Sequence, residues 1–513
     1  MLPALEETTG NFREVSVKLE DLLSKLIHAA REGSRFDEVI KLVGLDGREL
    51  QRLLVQAYLD EGGEGDVGDA VESAAGVEQT RGRVRGRKIE TAFGDVYVAR
   101  RAYERAKTES LHPRDGQLNL PPGLHDYGLR KTLTYEIAKG SFEEAVEALH
   151  RQTGASMSKS TAEHIAQVTA VDFETFYEQA EPPKGGLGAG HAIVMSCDGA
   201  AIVMLHKDLR EATRRAGEED ELRPAGLLDE AEKRNRKRRA MVTAVYGIKL
   251  WVRSPDDILP LFGEEIAEGP RPKPLYKRVA ATLEDPADAV SAMFDAADQL
   301  DPRRECPRLA LVDGDPYQID LIRAEAARHG VEVELILDIF HLAEYCRDAA
   351  KAVYPDDKNE ARNWGRAILW LLLASMPEVA LERIKEARQA ASSAGHKALD
   401  ALTTYIVNHR QMIDYRHYLR AGYPVGSGVV EGAVRHLLRH RLDRSGARWS
   451  LQGGEAVLRL RALYLNGDFD AYWAFHLEQE HQRNHVANYA NPNVVAPKGT
   501  DSSLWYPHLR LVK

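Results

Sequence analysis

Residues 423–449 read YPVGSGVVEGAVRHLLRHRLDRSGARW and contain a glycine-rich turn, a predicted helix and a series of arginines. Apolar residues recur there at helical spacing and predict a buried face: Val430, Val434, Leu437 and Leu438. Glu431, Arg435 and Arg439 are four residues apart, so they lie along one adjacent face. A carboxylate at the end of an arginine stripe suits a site that holds a cation beside a phosphate backbone. An amphipathic helix with ordinary i,i+4 ion pairs would show the same pattern.

Two further carboxylates follow short, mostly apolar runs. IVMSC precedes Asp198, LALV precedes Asp313, and a glycine follows each aspartate. Such runs predict buried strands that deliver an aspartate at their carboxyl ends, although Asp-Gly after a strand is also a common turn. The separations from Asp198 to Asp313 and on to Glu431 are 115 (313 − 198) and 118 (431 − 313) residues, so only a fold could bring the three together. Hard oxygen ligands of this kind hold the two divalent cations that catalyse phosphoryl transfer.

At these motifs the chain resembles the ISKra-type bacterial insertion-sequence transposases. The two Asp-Gly pairs carry the resemblance, with ILDIFHLAEY at 336–345 and YPVGSGVVEG at 423–432. It continues through RLDRSGARWS at 441–450 and AVLRLRALYLNGDFDAYW at 456–473. These transposases are DDE enzymes with an RNase H-like catalytic domain.

The resemblance implies that Asp198, Asp313 and Glu431 are the catalytic acids and the ligands of Mg²⁺ or Mn²⁺. The implied activity is binding to the terminal repeats of a mobile element, metal-dependent cleavage of a DNA strand, and strand transfer. Double-stranded DNA is then the partner, and joining two ends implies a homodimer or a higher assembly. Two alternatives remain open: an RNase H-like nuclease without strand transfer, and a non-catalytic DNA-binding protein derived from a transposase.

The predicted fold class is α/β and multi-domain: an RNase H-like mixed sheet with helices and an all-α insertion, preceded by a mainly helical DNA-binding region. Strands are expected at about 192–198, 200–206, 241–252, 308–313 and 331–337, and helices near 286–300 and at 317–329. The predicted domains are 1–80 (helical), 81–180 (small β-element plus helix-turn-helix-like region), 190–340 (first part of the catalytic core), 341–420 (all-α insertion), 421–475 (Glu-bearing helix and following helices) and 476–513 (tail).

Candidate DNA-binding residues lie in two segments. The arginines after Glu431 would position phosphates, and a neighbouring tryptophan either stacks on an unpaired base or lies in the core: Arg435, Arg439, Arg441, Arg444, Arg448 and Trp449. Residues 141–168 predict two helices around Gly154, a helix-turn-helix whose second helix would begin at Ser158, Lys159 and Ser160. Basic residues also cluster at 81–106 and 230–239, while acids concentrate at 60–72 and 217–221.

Asp338 and His341 stand at a predicted strand end and at the start of the next helix. They could form a metal site, but capping of that helix or support of the catalytic acids from behind is the favoured interpretation.

The composition sets outer limits on function. The 513 residues carry a net charge of −10, which by itself argues against a nucleic-acid partner. The local distribution of charge matters more than the net charge, and basic residues are clustered. Three scattered cysteines, Cys197, Cys306 and Cys346, predict no disulfide scaffold and no zinc site, and favour a reducing compartment. No apolar run is long enough for a membrane span, and the amino terminus lacks the features of a signal peptide. A cytoplasmic, nucleoid-associated protein is therefore expected.

Overall fold

The chain forms two compact units. The structure is a computed structural model that describes residues 10–183, 185–188, 190–221, 236–259, 271–443 and 447–496. The first unit comprises residues 1–172 together with 469–513, and the second comprises residues 173–468. Arg444, residues 230–235 of the 230–239 cluster and the end of the predicted tail lie outside the described residues.

The first unit begins with an N-terminal helical hairpin, Arg13–Glu32 and Phe36–Glu61. An antiparallel sheet follows, ordered β1-β2-β3, from Ala70–Glu72, Glu78–Thr91 and Gly94–Glu104. The sequence predicted this β-element about a glycine turn, because apolar and polar residues alternate before and after Gly94. The unit is completed by the helices Pro113–Gln117, Tyr127–Lys139, Phe142–Thr153, Lys159–Thr169 and Phe469–Asn484.

The second unit is built on a mixed sheet with the strand order β6-β5-β4-β7-β8. Its strands are β4 (His191–Val203), β5 (Lys237–Lys249), β6 (Leu275–Thr282), β7 (Arg308–Val312) and β8 (Glu334–Leu337). β5 pairs antiparallel with both β4 and β6. On the other side of β4, β7 pairs parallel with β4, and β8 pairs parallel with β7. This arrangement confirms the predicted α/β, multi-domain fold class with a mixed sheet.

Two strand predictions differ from the structure. β4 runs through Asp198 and Gly199 without a turn, so the strands expected at 192–198 and 200–206 are one strand. β5 supplies the reason, since its residues pair with β4 along the whole length, including Val242 opposite Asp198. β6 was not expected, because LYKRVAAT does not alternate apolar and polar residues and contains the adjacent charges Lys277 and Arg278.

Helices cover the sheet and form the predicted all-α insertion. Pro286–Leu300 and Pro316–His329 match the expected helices closely. The insertion contains Ile339–Val353, Lys358–Leu373, Pro377–Ala390, Ser393–Asn408 and Tyr415–Ala421, and its apolar faces share one core with the sheet. Shorter helices lie at Phe173–Glu178, Glu211–Glu221 and Pro255–Ile258. Among the described helices, none combines the length and the apolar composition that crossing a bilayer requires.

The helix that carries Glu431 changes type. It is α-helical over Gly428–Ala433 and continues as a π-helix over Val434–Arg439, where a continuous α-helix was expected. The four apolar positions predicted to face a core are buried: Val430, Val434, Leu437 and Leu438. The next long helix is Leu451–Asn466. A π-helical turn is rare, and sequence spacing alone does not distinguish it from an α-helical turn.

Candidate active site

Three aspartates share one level of the parallel part of the sheet. Pairing of β4 with β7 sets Ser196 opposite Leu311, and two residues further along each strand are Asp198 and Asp313. Pairing of β7 with β8 sets Val312 opposite Leu337, and the next residues are Asp313 and Asp338. Because adjacent strands are about 4.8 Å apart and side chains at one level share a face, the sheet gathers these carboxylates along one row.

Asp198 and Asp313 are close enough to affect each other electrostatically. Burial raises the pKa of Asp198, and the negative charge of Asp313 raises it further, while the amide of Gly199, which donates to Oδ1 at 2.6 Å, opposes the rise. Asp313 is partly buried, and its Oδ1 accepts from the amide of Asp315 at 2.8 Å. The pair therefore concentrates negative charge in a partly desolvated place, where a cation would be stabilised.

The Asp313-Gly314 turn is fixed by two side chains of the insertion. The hydroxyl of Tyr405 donates to the carbonyl oxygen of Asp313 at 2.7 Å, and Nε2 of His409 lies 3.0 Å from that of Gly314. Gly314 has φ = 95°, and a Cβ at this position would lie 2.7 Å from Nε2 of His409. Only glycine suits both the backbone conformation and the close contact.

Glu431 is linked to the row of aspartates through Ser427. Its helix packs against β4 and β5, and its own side chain is exposed. The hydroxyl of Ser427 lies 3.2 Å from Oε1 of Glu431 and 2.7 Å from Oδ2 of Asp338. A hydroxyl has one proton to donate. The shorter contact assigns that proton to Asp338. The contact between Ser427 and Glu431 is therefore weak.

Asp338 is the most buried acid of the row, with 1% of its surface exposed. It caps the helix Ile339–Val353 by accepting from the amide of Phe340, and it accepts from the amide of Ser427 at 3.0 Å. Its Oδ2 lies 2.8 Å from Nδ1 of His341. These contacts show that Asp338 caps its helix, and they join the insertion to the turn before Glu431.

His341 is a partly exposed cation next to the row. The hydrogen bond to Asp338 is the main cause that raises the pKa of His341 from 6.5 to about 9, and the charge of Asp313 adds to it. Since the folded-state pKa is raised, this interaction stabilises the fold fully below about pH 6.5 and is lost as the pH rises through about 9.

We expect the free energy of unfolding to fall between pH 7 and 10 by more in the wild type than in a His341→Gln variant. The reason is that glutamine keeps a polar contact to Asp338 but does not titrate. Urea midpoints measured at each pH for both proteins test this. Parallel pH profiles of the two proteins would contradict the raised pKa.

The carboxylates fit a divalent cation only in part. Asp198 and Asp313 supply hard oxygen donors in a partly buried place, which is the donor chemistry that Mg²⁺ and Mn²⁺ prefer. Within the described ranges, no group of three His, Cys, Asp or Glu side chains is positioned to hold a metal ion. The structure thus brings two of the three predicted ligands, Asp198 and Asp313, together. The third, Glu431, contacts Ser427 instead.

The predicted DNA-binding arginines divide into exposed and buried ones. Arg435, Arg439 and Arg448 are exposed. Arg441 is buried, with its guanidinium 4.8 Å from the ring centre of Trp449. Trp449 is buried too, and its indole donates to the carbonyl of Leu442 at 3.0 Å. Arg441 and Trp449 therefore lie in the core, where neither a phosphate nor a base can contact them without rearrangement.

The helix-turn-helix-like region has the expected layout. Phe142–Thr153 ends at Gly154, which has φ = 77°, and Ser158 caps Lys159–Thr169 by accepting from the amide of Thr161 at 3.0 Å. Ser158, Lys159 and Ser160 are exposed, and Lys159 also pairs with Glu143 at 3.0 Å. The first turn of the second helix is therefore accessible to a groove.

The basic cluster at 81–106 is largely neutralised within its own unit. Five of its arginines pair with acids, several of them from the acidic stretch 60–72 or from Asp115: Arg81 with Asp66, Arg85 with Glu104, Arg87 and Arg100 with Asp115, and Arg101 with Glu64. These ion pairs leave less positive charge for a DNA backbone than the sequence suggested.

Sequence reasoning did not single out several residues around the acids. Ser427 was part of a quoted motif, and its position four residues before Glu431 was the available signal. Arg239 lies against Gly199 and pairs with Asp315 at 3.1 Å. A cleft of about 990 Å³ opens beside Asp313 and His341 and extends to the insertion, where Tyr405 and His409 line it.

Comparison with protein families finds no family that matches this chain. No curated protein matches it either. Among solved structures, the chain is similar to the Drosophila P element transposase strand transfer complex, at 10% sequence identity and a TM-score of 0.22. The matched region covers 77% of this chain and 85% of that chain. A likeness of this size carries no argument about function.

Proposed function

We propose that this protein is a DNA transposase that binds the terminal repeats of a mobile element, cleaves a DNA strand and transfers it to a new site. The observation that carries the proposal is the level shared by Asp198 and Asp313 on adjacent parallel strands, with the helix of Glu431 packed on the same sheet. Acids so placed are what phosphoryl transfer on DNA requires.

Asp198 and Asp313 would hold Mg²⁺ or Mn²⁺, and Glu431 would complete the site after turning away from Ser427. When bound, the cation activates the attacking oxygen and stabilises the leaving oxygen. Asp338 holds the Ser427 turn and His341 in place, and protonated His341 adds positive charge beside the acids. The exposed arginines Arg435, Arg439 and Arg448 would bind phosphates and set the position of the strand.

The direct test is a reaction of the purified chain with DNA that carries the sequences flanking its reading frame, in the presence of Mg²⁺. A transposase yields cleaved ends and joined products. Cleavage without joined products would identify a nuclease, and end binding that ignores Mg²⁺ would identify a non-catalytic DNA-binding protein.

Arg435→Ala and Arg439→Ala should weaken binding to all duplexes alike. Each lost phosphate contact is expected to lower the slope of log affinity against log salt concentration by about one unit. Binding is measured by fluorescence anisotropy over a series of salt concentrations.

Arg441→Ala serves as the matched control, because Arg441 stacks on Trp449 in the core. That variant should lower the melting temperature and leave the salt slope unchanged. If Arg435→Ala and Arg439→Ala behave like Arg441→Ala, these arginines do not contact DNA.

A further inference from the structure

The helix Phe36–Glu61 of the N-terminal helical hairpin carries a row of exposed, large apolar side chains. Phe36, Ile40, Val43 and Leu54 have 78, 55, 40 and 43% of their surface exposed, and Leu50 is partly exposed. Together with Gly47, these residues follow one another along the chain at alternating intervals of four and three residues. This is the heptad spacing of a coiled-coil seam, so we call these residues the exposed seam.

The other faces of the same helix are occupied within the first unit. On one face, Asp46 pairs with Lys18 and Lys25 of the first helix, each at 2.9 Å. On another, the side chain of Gln56 exchanges hydrogen bonds with the backbone of Tyr97 in β3. The exposed seam is a third face, separate from these two. Folding of the hairpin onto its own unit therefore does not account for its apolar residues.

The charge around the exposed seam favours a protein partner over DNA. The positions that flank it on its outer side are Asp37, Gly44 and Gln51, which carry one acid and no base. Residues 36–61 as a whole contain three bases and six acids. The seam and its outer flank offer no basic side chain to a phosphate backbone, whereas a second apolar seam would fit them.

The size of the hairpin fits a dimer interface. Tyr58 is 60% exposed and lies one helical turn beyond Leu54, so it extends the apolar face. From Phe36 to Tyr58 the helix extends about 33 Å at 1.5 Å per residue, and two adjacent helices are about 20 Å wide. In an antiparallel hairpin, helical spacing sets Leu19, Leu23 and Leu26 of the first helix, all at least partly exposed, on the side of the exposed seam. The resulting face of about 660 Å² is near the roughly 800 Å² per partner of a stable, specific interface.

We propose that two copies of this chain associate through the exposed seam, so that the two hairpins form a four-helix contact. A twofold dimer uses the same patch on both copies, and a single continuous seam meets that requirement. A homodimer is already expected from the resemblance, and the new inference is the surface that forms it. This inference does not depend on the proposed function, since the seam lies in the first unit and the acids lie in the second.

The dimer would also pair the two helix-turn-helix-like regions. The guanidinium of Arg48 donates to the carbonyl oxygens of Thr153 and Gln152, at 2.9 and 3.0 Å. The hairpin is thereby fastened to the end of the helix Phe142–Thr153. Association through the exposed seam would set two such motifs in one assembly, as DNA with two half-sites requires.

The test compares the mass in solution of the full chain with that of the double variant Ile40→Glu, Leu54→Glu. Both positions are exposed in the single chain, so the change is compatible with folding, which circular dichroism checks. Sedimentation should show a dimer for the wild type and about a 100-fold or greater rise in the dissociation constant for the variant. Leu45→Glu is the matched control, because Leu45 is 65% exposed and lies on the opposite side of the same helix.

A wild-type chain that is monomeric at tens of micromolar would overturn the proposal, as would a double variant that still forms the dimer. A monomeric full chain that becomes dimeric when residues 497–513, with LWYPHLRLV at 504–512, are removed would show that this segment covers the seam instead. In the supporting case, an Ile40→Cys disulfide between copies would indicate parallel helices. A disulfide between Ile40→Cys and Leu54→Cys chains would indicate antiparallel ones.

Discussion

Asp198→Asn and Asp313→Asn should each reduce DNA cleavage by roughly 10³-fold or more, since loss of a metal ligand removes several kcal/mol of transition-state stabilisation. DNA end binding should remain. The Asp198→Asn change also replaces a partly buried charge by a neutral group of the same shape, so we expect no loss of thermal stability without metal. Cleavage rates at saturating Mg²⁺ and melting curves test both statements.

Asp320→Asn is the control for these variants. Asp320 is an exposed acid near Asp313, 3.9 Å from Arg323, and it lies outside the row formed by Asp198, Asp313 and Asp338. The Asp320→Asn variant should cleave at the wild-type rate. Loss of cleavage in all three variants would point to a general effect of charge near the sheet rather than to ligands.

Glu431→Gln separates a catalytic role of Glu431 from a structural one. The exposed side chain makes a weak contact with Ser427, so the substitution should leave the melting temperature unchanged. If Glu431 completes the metal site, cleavage should nevertheless be lost. A Glu431→Gln enzyme that cuts at the wild-type rate would remove Glu431 from the proposed active site.

Asp338→Ala should be the most destabilising substitution around the site, at about 3–5 kcal/mol. It leaves the amide and hydroxyl of Ser427, the amide of Phe340 and the imidazolium of His341 without their acceptor in a buried place. Chemical denaturation measures the loss. If Asp338→Ala does not fold, Asp338→Asn, which keeps one acceptor oxygen, should fold with an intermediate loss.

Asp285→Ala provides the comparison for capping alone. Asp285 is exposed and caps Pro286–Leu300 by accepting from the amide of Ala287. Its removal should cost about 1 kcal/mol, as for other helix caps. Equal losses in Asp285→Ala and Asp338→Ala would show that Asp338 does no more than cap its helix.

The sequence predicted those parts of the fold that depend on local patterning. The helix at 286–300 and the strand at 308–312 follow from uninterrupted periodic or apolar runs with clear boundaries. β6 and the continuity of β4 through Gly199 depend on pairing with β5, which is a contact between distant segments. Local propensity does not contain that information.

The candidate site divides in the same way. The aspartates at the ends of apolar runs could be found because strand and chemistry coincide there. The burial of Arg441 and Trp449 could not be predicted from the sequence. The same sequence pattern is expected whether the arginine and the tryptophan bind DNA or stack on each other. The pairing of the 81–106 arginines with acids of 60–72 likewise depends on how the chain folds back.

The shared level of Asp198, Asp313 and Asp338 has a consequence for how such chains diverge. Strand register, rather than the length of the connections, sets the three acids in line, and closing a longer surface loop costs little free energy. Segments can therefore be gained or lost between these three acids without moving them. Distant homologues should keep the residues that flank each acid while the number of residues between the acids varies freely. Alignments that penalise long gaps would then miss them.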